Sequence, residues 1–195
     1  MIVTSRFFDL LKNARPGEEM TLPVDFGLRQ VRASRRRSDV LVEGAIVLSL
    51  DERVQDNFCY LLGKEGLKKI AFFSEISNRY YKLVPTADWP TVTVSSVPMH
   101  KPVSPRSDAQ HKVALLKPSG FMLDTCMGLG YTAILAAERA CRVTTFERDA
   151  AIHEMARCNP CSAPLFASPA IEIRRQDVTE GIRTFAPARF DCVMH

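Results

Sequence analysis

The sequence lacks a long hydrophobic run, and a membrane-spanning helix needs about 20 consecutive apolar residues. The most apolar stretch, residues 40–50, is too short to cross a bilayer and is interrupted by Glu43. No apolar segment of the signal-peptide type occurs within residues 1–19. We therefore expect a cytoplasmic protein without a membrane partner.

A large excess of one charge is missing as well. The formal net charge is only +4, and charged residues make up 25% of an otherwise ordinary composition. The one local excess is an arginine cluster formed by Arg29, Arg32, Arg35, Arg36 and Arg37. Such a cluster is typical of a solvated surface, and an RNA contact through Arg35, Arg36 and Arg37 is the alternative interpretation.

The six cysteines do not form the two ligand pairs that a structural zinc site usually needs. Cys158 and Cys161 have the spacing of half such a site, and His153 is close to them in sequence, but there is no second pair. We therefore expect no metal. Because no secretion signal is recognised, the thiols are expected to be reduced.

Residues 1–96 are expected to form a small β-rich domain. Short β-favouring segments separated by turn residues follow one another here, and residues 40–48 and 91–94 are the clearest. A short helix is expected after a cap at Ser5, and a second helix is expected from a cap at Asp51 to Gly63. We recognise no catalytic constellation in this domain.

Residues 97–107 are expected to be a connector, because three prolines between positions 97 and 106 favour extended backbone. Residues 108–195 then alternate strand and helix, a pattern that indicates a parallel sheet. The strands are expected at residues 121–123, 142–146, 171–174 and 190–194. The helices are expected at residues 108–116, 131–140 and 150–158, with a shorter one at 178–185.

Residues 121–137 have the pattern of a nucleotide-binding turn. A short apolar strand ends in the acidic Asp124, a tight loop with Gly128 and Gly130 follows, and an apolar helix comes next. Glycine permits the positive φ and the close approach of a ligand to bare backbone that such a turn needs. With Ala133 in third place, the loop also fits the loose dinucleotide fingerprint, so the glycines leave the ligand open.

Asp124 favours a cationic ligand over a dinucleotide. A pyrophosphate held against this turn would lie close to the carboxylate, and like charges repel strongly in a partly desolvated site. S-adenosylmethionine carries an ammonium and a sulfonium group and no phosphate, so its charge suits Asp124.

Two further acids follow the next two strands. Glu147 is placed to accept both hydroxyls of a ribose, which either class of nucleotide would offer. Asp177 is placed to accept from an adenine amine, with Val178 against the ring. Acids in such turns are also common as helix caps, and this is the competing interpretation.

The ten residues from Asp124 to Ala133 resemble the first motif of the class I S-adenosylmethionine-dependent methyltransferases. Further matches are Phe146-Glu147-Arg148-Asp149, Asn159-Pro160, Gln176-Asp177 and residues 190–195. Together they resemble a group of predicted methyltransferases near the spermidine-synthase-like branch, over roughly residues 91–195. Cys161 departs from that group, in which tryptophan would be expected.

The resemblance implies a Rossmann-like class I methyltransferase sheet, S-adenosylmethionine as cofactor, and methyl transfer to nitrogen. The acceptor would be an amine of a nucleobase, a protein or a small molecule. The residues expected to bind the cofactor are Asp124, Thr125, Cys126, Met127, Gly128, Gly130, Tyr131, Glu147, Arg148, Asp177 and Val178.

In that group the strand matching residues 190–194 ends in histidine, and Asp-Pro-Pro and the rest of the sheet follow. The resemblance therefore implies a C-terminally truncated fragment with the first four strands only. His195 would line the acceptor side, or would be an ordinary strand-end residue. We expect the last strand to be an exposed edge that promotes self-association.

Two other functions stay open. The first is a spermidine-synthase-like aminopropyltransferase, which uses a decarboxylated form of the same cofactor. The segment from Asp124 to Gly130 lacks the denser glycine run and the further acid that are usual in those enzymes. The second is a non-catalytic module that binds RNA through the arginine cluster.

Overall fold

The N-terminal part of the chain is built from short antiparallel strands. The computed structural model describes residues 1–94, 97–98 and 104–195, so residues 99–103 of the predicted connector lie outside the described residues. The elements are β1 (Ile2–Val3), α1 (Ser5–Asn13), β2 (Glu19–Val24), β3 (Arg29–Arg35), β4 (Asp39–Val42), β5 (Ile46–Ser49), β6 (Tyr60–Gly63), β7 (Gly66–Lys69), β8 (Ala71–Ser74), β9 (Arg79–Val84), β10 (Thr91–Val94) and β11 (Val97–Pro98). The predicted β-rich N-terminal region is confirmed.

These strands form three sheets, with the orders β2-β3-β4-β5, β1-β6-β7 and β11-β10-β9-β8. Inward-facing residues alternate with outward-facing ones, as Val40 and Val42 do in β4. Helix α1 buries Phe7, Phe8 and Leu11 in the same hydrophobic core. One amphipathic helix thus covers the buried face of the first sheet.

The helix predicted from Asp51 to Gly63 is wrong, because the end of this segment is strand β6. Tyr60 and Leu62 are buried while Leu61 is exposed, which is the period of a strand and not of a helix. Strand β6 pairs with β1 on one side and β7 on the other. These partners satisfy backbone groups that a helix would have satisfied internally, and β1 is too short to recognise in the sequence.

The second part of the chain alternates helices and strands. Its elements are α2 (Pro105–Leu116), β12 (Phe121–Asp124), α3 (Tyr131–Ala137), β13 (Arg142–Phe146), α4 (Ala150–Cys158), α5 (Ala163–Ala167), β14 (Ile171–Arg174), α6 (Val178–Gly181) and β15 (Cys192–Met194). Helix α2 begins earlier than predicted, because Ser104 caps it by accepting from the backbone N–H of Ser107 and Pro105 occupies its first turn.

The four strands of this part form one parallel sheet with the order β14-β13-β12-β15. Because the strands are parallel, their carboxyl ends meet at one edge. Asp124 is the last residue of β12, Glu147 follows β13, and His195 follows β15. The predicted α/β architecture is confirmed, and the acids are brought to the expected edge of the sheet.

The two parts of the chain share a hydrophobic core and a few buried polar contacts. Leu83 and Val92 of the N-terminal strands belong to the same core cluster as residues of α3 and α4. The Ser74 hydroxyl donates to Asp149 Oδ2 at 2.6 Å. The division into two domains, with a boundary between residues 96 and 108, stays a prediction, because one hydrophobic core includes residues of both parts of the chain.

Strand β15 lies at an edge of the parallel sheet, and Val193 is exposed there. Pairing of this edge with a second copy stays a prediction. Among the described residues, no helix combines the length and the apolar character needed to span a membrane.

Candidate functional site

A cleft of about 360 Å³ opens at the carboxyl edge of the parallel sheet, where the glycine turn lies. Helix α2 forms one wall, the turn and the start of α3 form the floor, and the end of β15 closes one side. The lining residues are Pro105, Asp108, Ala109, Lys112, Asp124, Cys126, Met127, Gly128, Leu129, Gly130, Tyr131, Thr132, Met194 and His195. Seven of the predicted cofactor-binding and acceptor-side residues are therefore brought together here.

Asp124 is the buried acid of this cleft, with only 4% of its surface exposed. Its Oδ2 accepts from the Thr145 hydroxyl at 2.8 Å, and its Oδ1 accepts weakly from the Cys126 backbone N–H at 3.4 Å. Burial raises the pKa of Asp124 to about 6. A buried carboxylate with so few donors is stabilised by a cation.

Lys112 supplies a positive charge on the opposite wall. Its Nζ lies 2.7 Å from Asp108 Oδ2, one helical turn away on α2. The ammonium also favours the ionised form of Asp124, although burial is the larger influence on the pKa of that acid. Asp108 and Lys112 were not identified from the sequence. The available signal was an acid and a lysine four residues apart on the helix before the glycine turn.

The glycine turn has the conformation that the sequence predicts. Gly128 has a φ of 53° and Gly130 a φ of 77°, both in the left-handed region. A Cβ at position 130 would also lie 2.5 Å from Leu165 Cδ2. A side chain at position 130 would therefore strain the backbone angle and force the buried Leu165 side chain to shift.

Glu147 holds this turn in place. Its Oε2 accepts from the Gly128 backbone N–H at 3.2 Å, and its Oε1 accepts from the Asp149 N–H at 2.9 Å. Burial raises the pKa of Glu147, which these two donors partly oppose. The carboxylate is nearly buried and does not line the cleft, so its predicted contact with a ribose stays a prediction.

Asp177 acts as a helix cap in the structure. Its Oδ1 accepts from the Thr179 hydroxyl at 2.7 Å and from the Thr179 backbone N–H at 2.9 Å. Its Oδ2 pairs with Arg148 at 2.9 Å. The bonds from Thr179, followed by the bond from Arg148, lower the pKa of Asp177. Arg148, Asp177 and Val178 do not line the cleft, and their contact with an adenine stays a prediction.

The Tyr131 hydroxyl belongs to a buried network and not to the open part of the cleft. It donates to the Pro90 carbonyl at 2.8 Å and accepts from Asn159 Nδ2 at 2.8 Å. The Tyr131 ring packs against Trp89 with 4.6 Å between the centroids. Tyr131 thus joins the N-terminal part of the chain to the first turn of α3. No sequence motif predicts this role.

Thr125 and His195 meet at the end of β15. The Thr125 Oγ1 lies 2.7 Å from His195 Nδ1.

Met127 lies buried in the cleft floor, and its backbone N–H donates to the Phe146 carbonyl at 2.8 Å. Partial burial raises the pKa of Cys126, so its exposed side chain remains a neutral thiol.

No group of three or more His, Cys, Asp or Glu side chains that could hold a metal ion occurs in the part of the chain that the structure describes. Cys158 is exposed while Cys161 is buried. The spacing of these two cysteines therefore does not place their side chains in one environment.

No protein-family model matches the chain. An uncharacterized protein of Methanocaldococcus jannaschii is 42% identical over 129 residues, which are 64% of this chain and 44% of that protein. The chain thus spans less than half the length of this curated relative.

A solved structure of another protein shares the fold. The spermidine synthase of Thermotoga maritima is similar over 69% of this chain and 52% of its own, with a TM-score of 0.50 and 18% identity. An S-adenosylmethionine-dependent methyltransferase of Agrobacterium tumefaciens covers 88% of this chain and 56% of its own at a TM-score of 0.37 and 12% identity. At 18% identity, the similarity to the spermidine synthase shows the fold alone. The chain has the class I α/β fold that the sequence predicted.

Proposed function

We propose that this chain carries the cofactor half of a methyltransferase site and that its cleft binds S-adenosylmethionine. The observation that carries the proposal is the buried Asp124 carboxylate beside a glycine turn with two positive φ angles. A cationic ligand stabilises this carboxylate, whereas the pyrophosphate of a dinucleotide would be repelled by it.

The two walls of the cleft suit the amino-acid end of the cofactor. Asp124 matches the ammonium group, and Lys112 on the facing helix matches the carboxylate. Asp108 holds Lys112 at the cleft by the 2.7 Å ion pair. A decarboxylated cofactor has no carboxylate to offer Lys112, whose anionic partner would then be Asp108 alone. This arrangement therefore supports methyl transfer rather than aminopropyl transfer.

When bound, S-adenosylmethionine would supply a sulfonium methyl group, which transfers to the lone pair of an acceptor nitrogen while the sulfur leaves as a neutral thioether. The remaining task of the protein is mainly to position the reactants. Asp124 and Lys112 would fix the amino-acid end, and the bare backbone at Gly128 and Gly130 would allow close approach. His195, held by Thr125, is assigned to the acceptor side of the cleft.

The proposal is tested by calorimetric titration of the chain with S-adenosylmethionine, S-adenosylhomocysteine and NAD. Binding of the two sulfur ligands without binding of NAD is expected. A matched control is Glu172→Gln, which removes an exposed acid at a distance from the cleft. Binding of NAD alone, or equal binding by Asp124→Asn and the wild type, would overturn the proposal.

A further inference from the structure

An aromatic pair stands exposed on the N-terminal sheet. Phe73 of β8 and Tyr80 of β9 are cross-strand partners, and their ring centroids are 5.1 Å apart. The exposed fraction is 46% for Phe73 and 66% for Tyr80. The two rings adjoin, so they form one exposed apolar patch, which is the kind of surface that binds partners.

One lysine lies next to this pair, and a second converges with it on a neighbouring ring. Lys82 follows Tyr80 by two residues on β9, so the two side chains emerge on the same face. The Nζ of Lys82 lies 4.7 Å from the centroid of the Phe58 ring, and the Nζ of Lys69 lies 4.4 Å from the same centroid. Two ammonium groups thus converge on one ring.

Neither ammonium is neutralised by a carboxylate. Lys69 donates to Gln55 Oε1 at 2.7 Å, a neutral acceptor. Within the described ranges, no Asp or Glu side chain comes within salt-bridge distance of Lys69 or Lys82. Converging positive charges without an acidic partner favour an anionic ligand.

We infer that the stacking face, defined as Phe73, Tyr80, Lys82 and Lys69, binds single-stranded nucleic acid. Unpaired bases stack on exposed aromatic rings, and lysines bind the phosphates between them. Two residues along a strand span about 6.6 Å, so one nucleotide can contact both a ring and an ammonium. The inference goes beyond the proposed function, because it assigns a partner to the N-terminal sheet and does not depend on the cofactor.

The stacking face is anchored from behind. Ser74 follows Phe73 on β8 and points inward, where its hydroxyl donates to Asp149 at the start of α4. Tyr81, the neighbour of Tyr80, is buried in the core that both parts of the chain share. The rings are therefore displayed by strands that are fixed to the rest of the fold.

The arginine cluster is less suited to this role. Arg35 uses its NH1 group to donate to the backbone carbonyls of Leu11 and Lys12, at 2.9 Å and 2.6 Å. It thereby caps the end of α1. Arg36 lies 3.9 Å from Asp39. Of Arg35, Arg36 and Arg37, the first two are thus engaged with the protein itself.

The test is fluorescence anisotropy with a labelled oligouridylate of about 12 nucleotides, its DNA counterpart and a duplex of the same length. The main variant is the double substitution Phe73→Leu and Tyr80→Leu, which keeps apolar area and removes both rings. Roughly tenfold weaker binding per ring is expected. The control is Ile76→Ala, since Ile76 is exposed to 54% in the same hairpin but has no ring.

The lysines are tested by the salt dependence of affinity. The double substitution Lys69→Gln and Lys82→Gln should reduce the slope of log affinity against log salt by about 1.4, since each phosphate contact to a single strand contributes about 0.7. Arg36→Ala with Arg37→Ala should leave the slope unchanged. RNA and DNA single strands that both bind more tightly than the duplex support the inference, whichever of the two is tighter.

Three outcomes would overturn it. They are wild-type affinity in the double leucine variant, equal binding of duplex and single strand, and a loss of affinity confined to the arginine variant. Circular dichroism and melting of each variant show whether the fold is kept. Titration with S-adenosylhomocysteine is read separately, so failure of the cofactor proposal would not be mistaken for failure of this one.

Discussion

Replacing Asp124 by asparagine should change how the stability of the fold depends on pH. Burial raises the pKa of Asp124 from 3.8 to about 6, so folding favours the protonated form. The stabilisation is fully present below the unfolded pKa and is lost as the pH rises through the folded pKa. A pKa raised by about 2 corresponds to about 3 kcal/mol. The wild type should therefore lose up to this amount between about pH 4 and pH 7.

The assay is urea denaturation at several pH values for the wild type and for Asp124→Asn. The difference in the free energy of unfolding between the two proteins should change by about 3 kcal/mol over this interval. Asparagine retains the shape and accepts from the Thr145 hydroxyl, so the variant is expected to fold. A constant difference across the interval would rule this prediction out, because Asp124 would then ionise equally in both states.

Two further predictions concern the cleft and the turn. Lys112→Met should weaken binding of S-adenosylmethionine about tenfold and leave the affinity for the decarboxylated cofactor unchanged. Calorimetry measures both affinities, with Lys64→Met as the control. Equal losses of affinity for both ligands would contradict this prediction. Gly130→Ala should cost about 2 to 4 kcal/mol in denaturation, because a positive φ and a collision with Leu165 add. Gly27 has a φ of 87°, and a Cβ there would have no atom within 4 Å, so Gly27→Ala should show the backbone cost alone. An equal loss of stability in both variants would contradict the packing argument.

The sequence predicted the carboxyl edge of the parallel sheet well because that edge depends on local rules. Parallel strands bring their carboxyl ends together, so the acids at the ends of three of the four strands could be placed without knowing the fold in detail. The positive φ angles at Gly128 and Gly130 were likewise predictable from residue type. The place of Asp124 at this edge was predictable from its position at the end of a strand alone.

Contacts between distant parts of the chain were not predictable in this way. Strand β6 is determined by pairing with the two-residue β1, which lies far away in sequence at the start of the chain. The Tyr131 hydroxyl bonds to Pro90 across the junction of the two parts. Lys112 reaches the cleft only because α2 packs against α3. None of these long-range contacts produces a recognisable pattern in the local sequence.

Binding of the cationic end of S-adenosylmethionine by the ionised Asp124 carboxylate is the contact on which the proposed function depends. The most direct measurement is the affinity for S-adenosylhomocysteine, whose ammonium is present throughout, at about pH 5 and about pH 7. With a pKa of about 6, Asp124 should be roughly one-tenth ionised at the lower pH and roughly nine-tenths ionised at the higher. We predict about tenfold tighter binding at the higher pH in the wild type and none of this change in Asp124→Asn. An affinity that does not vary with pH, or varies equally in both proteins, would contradict it.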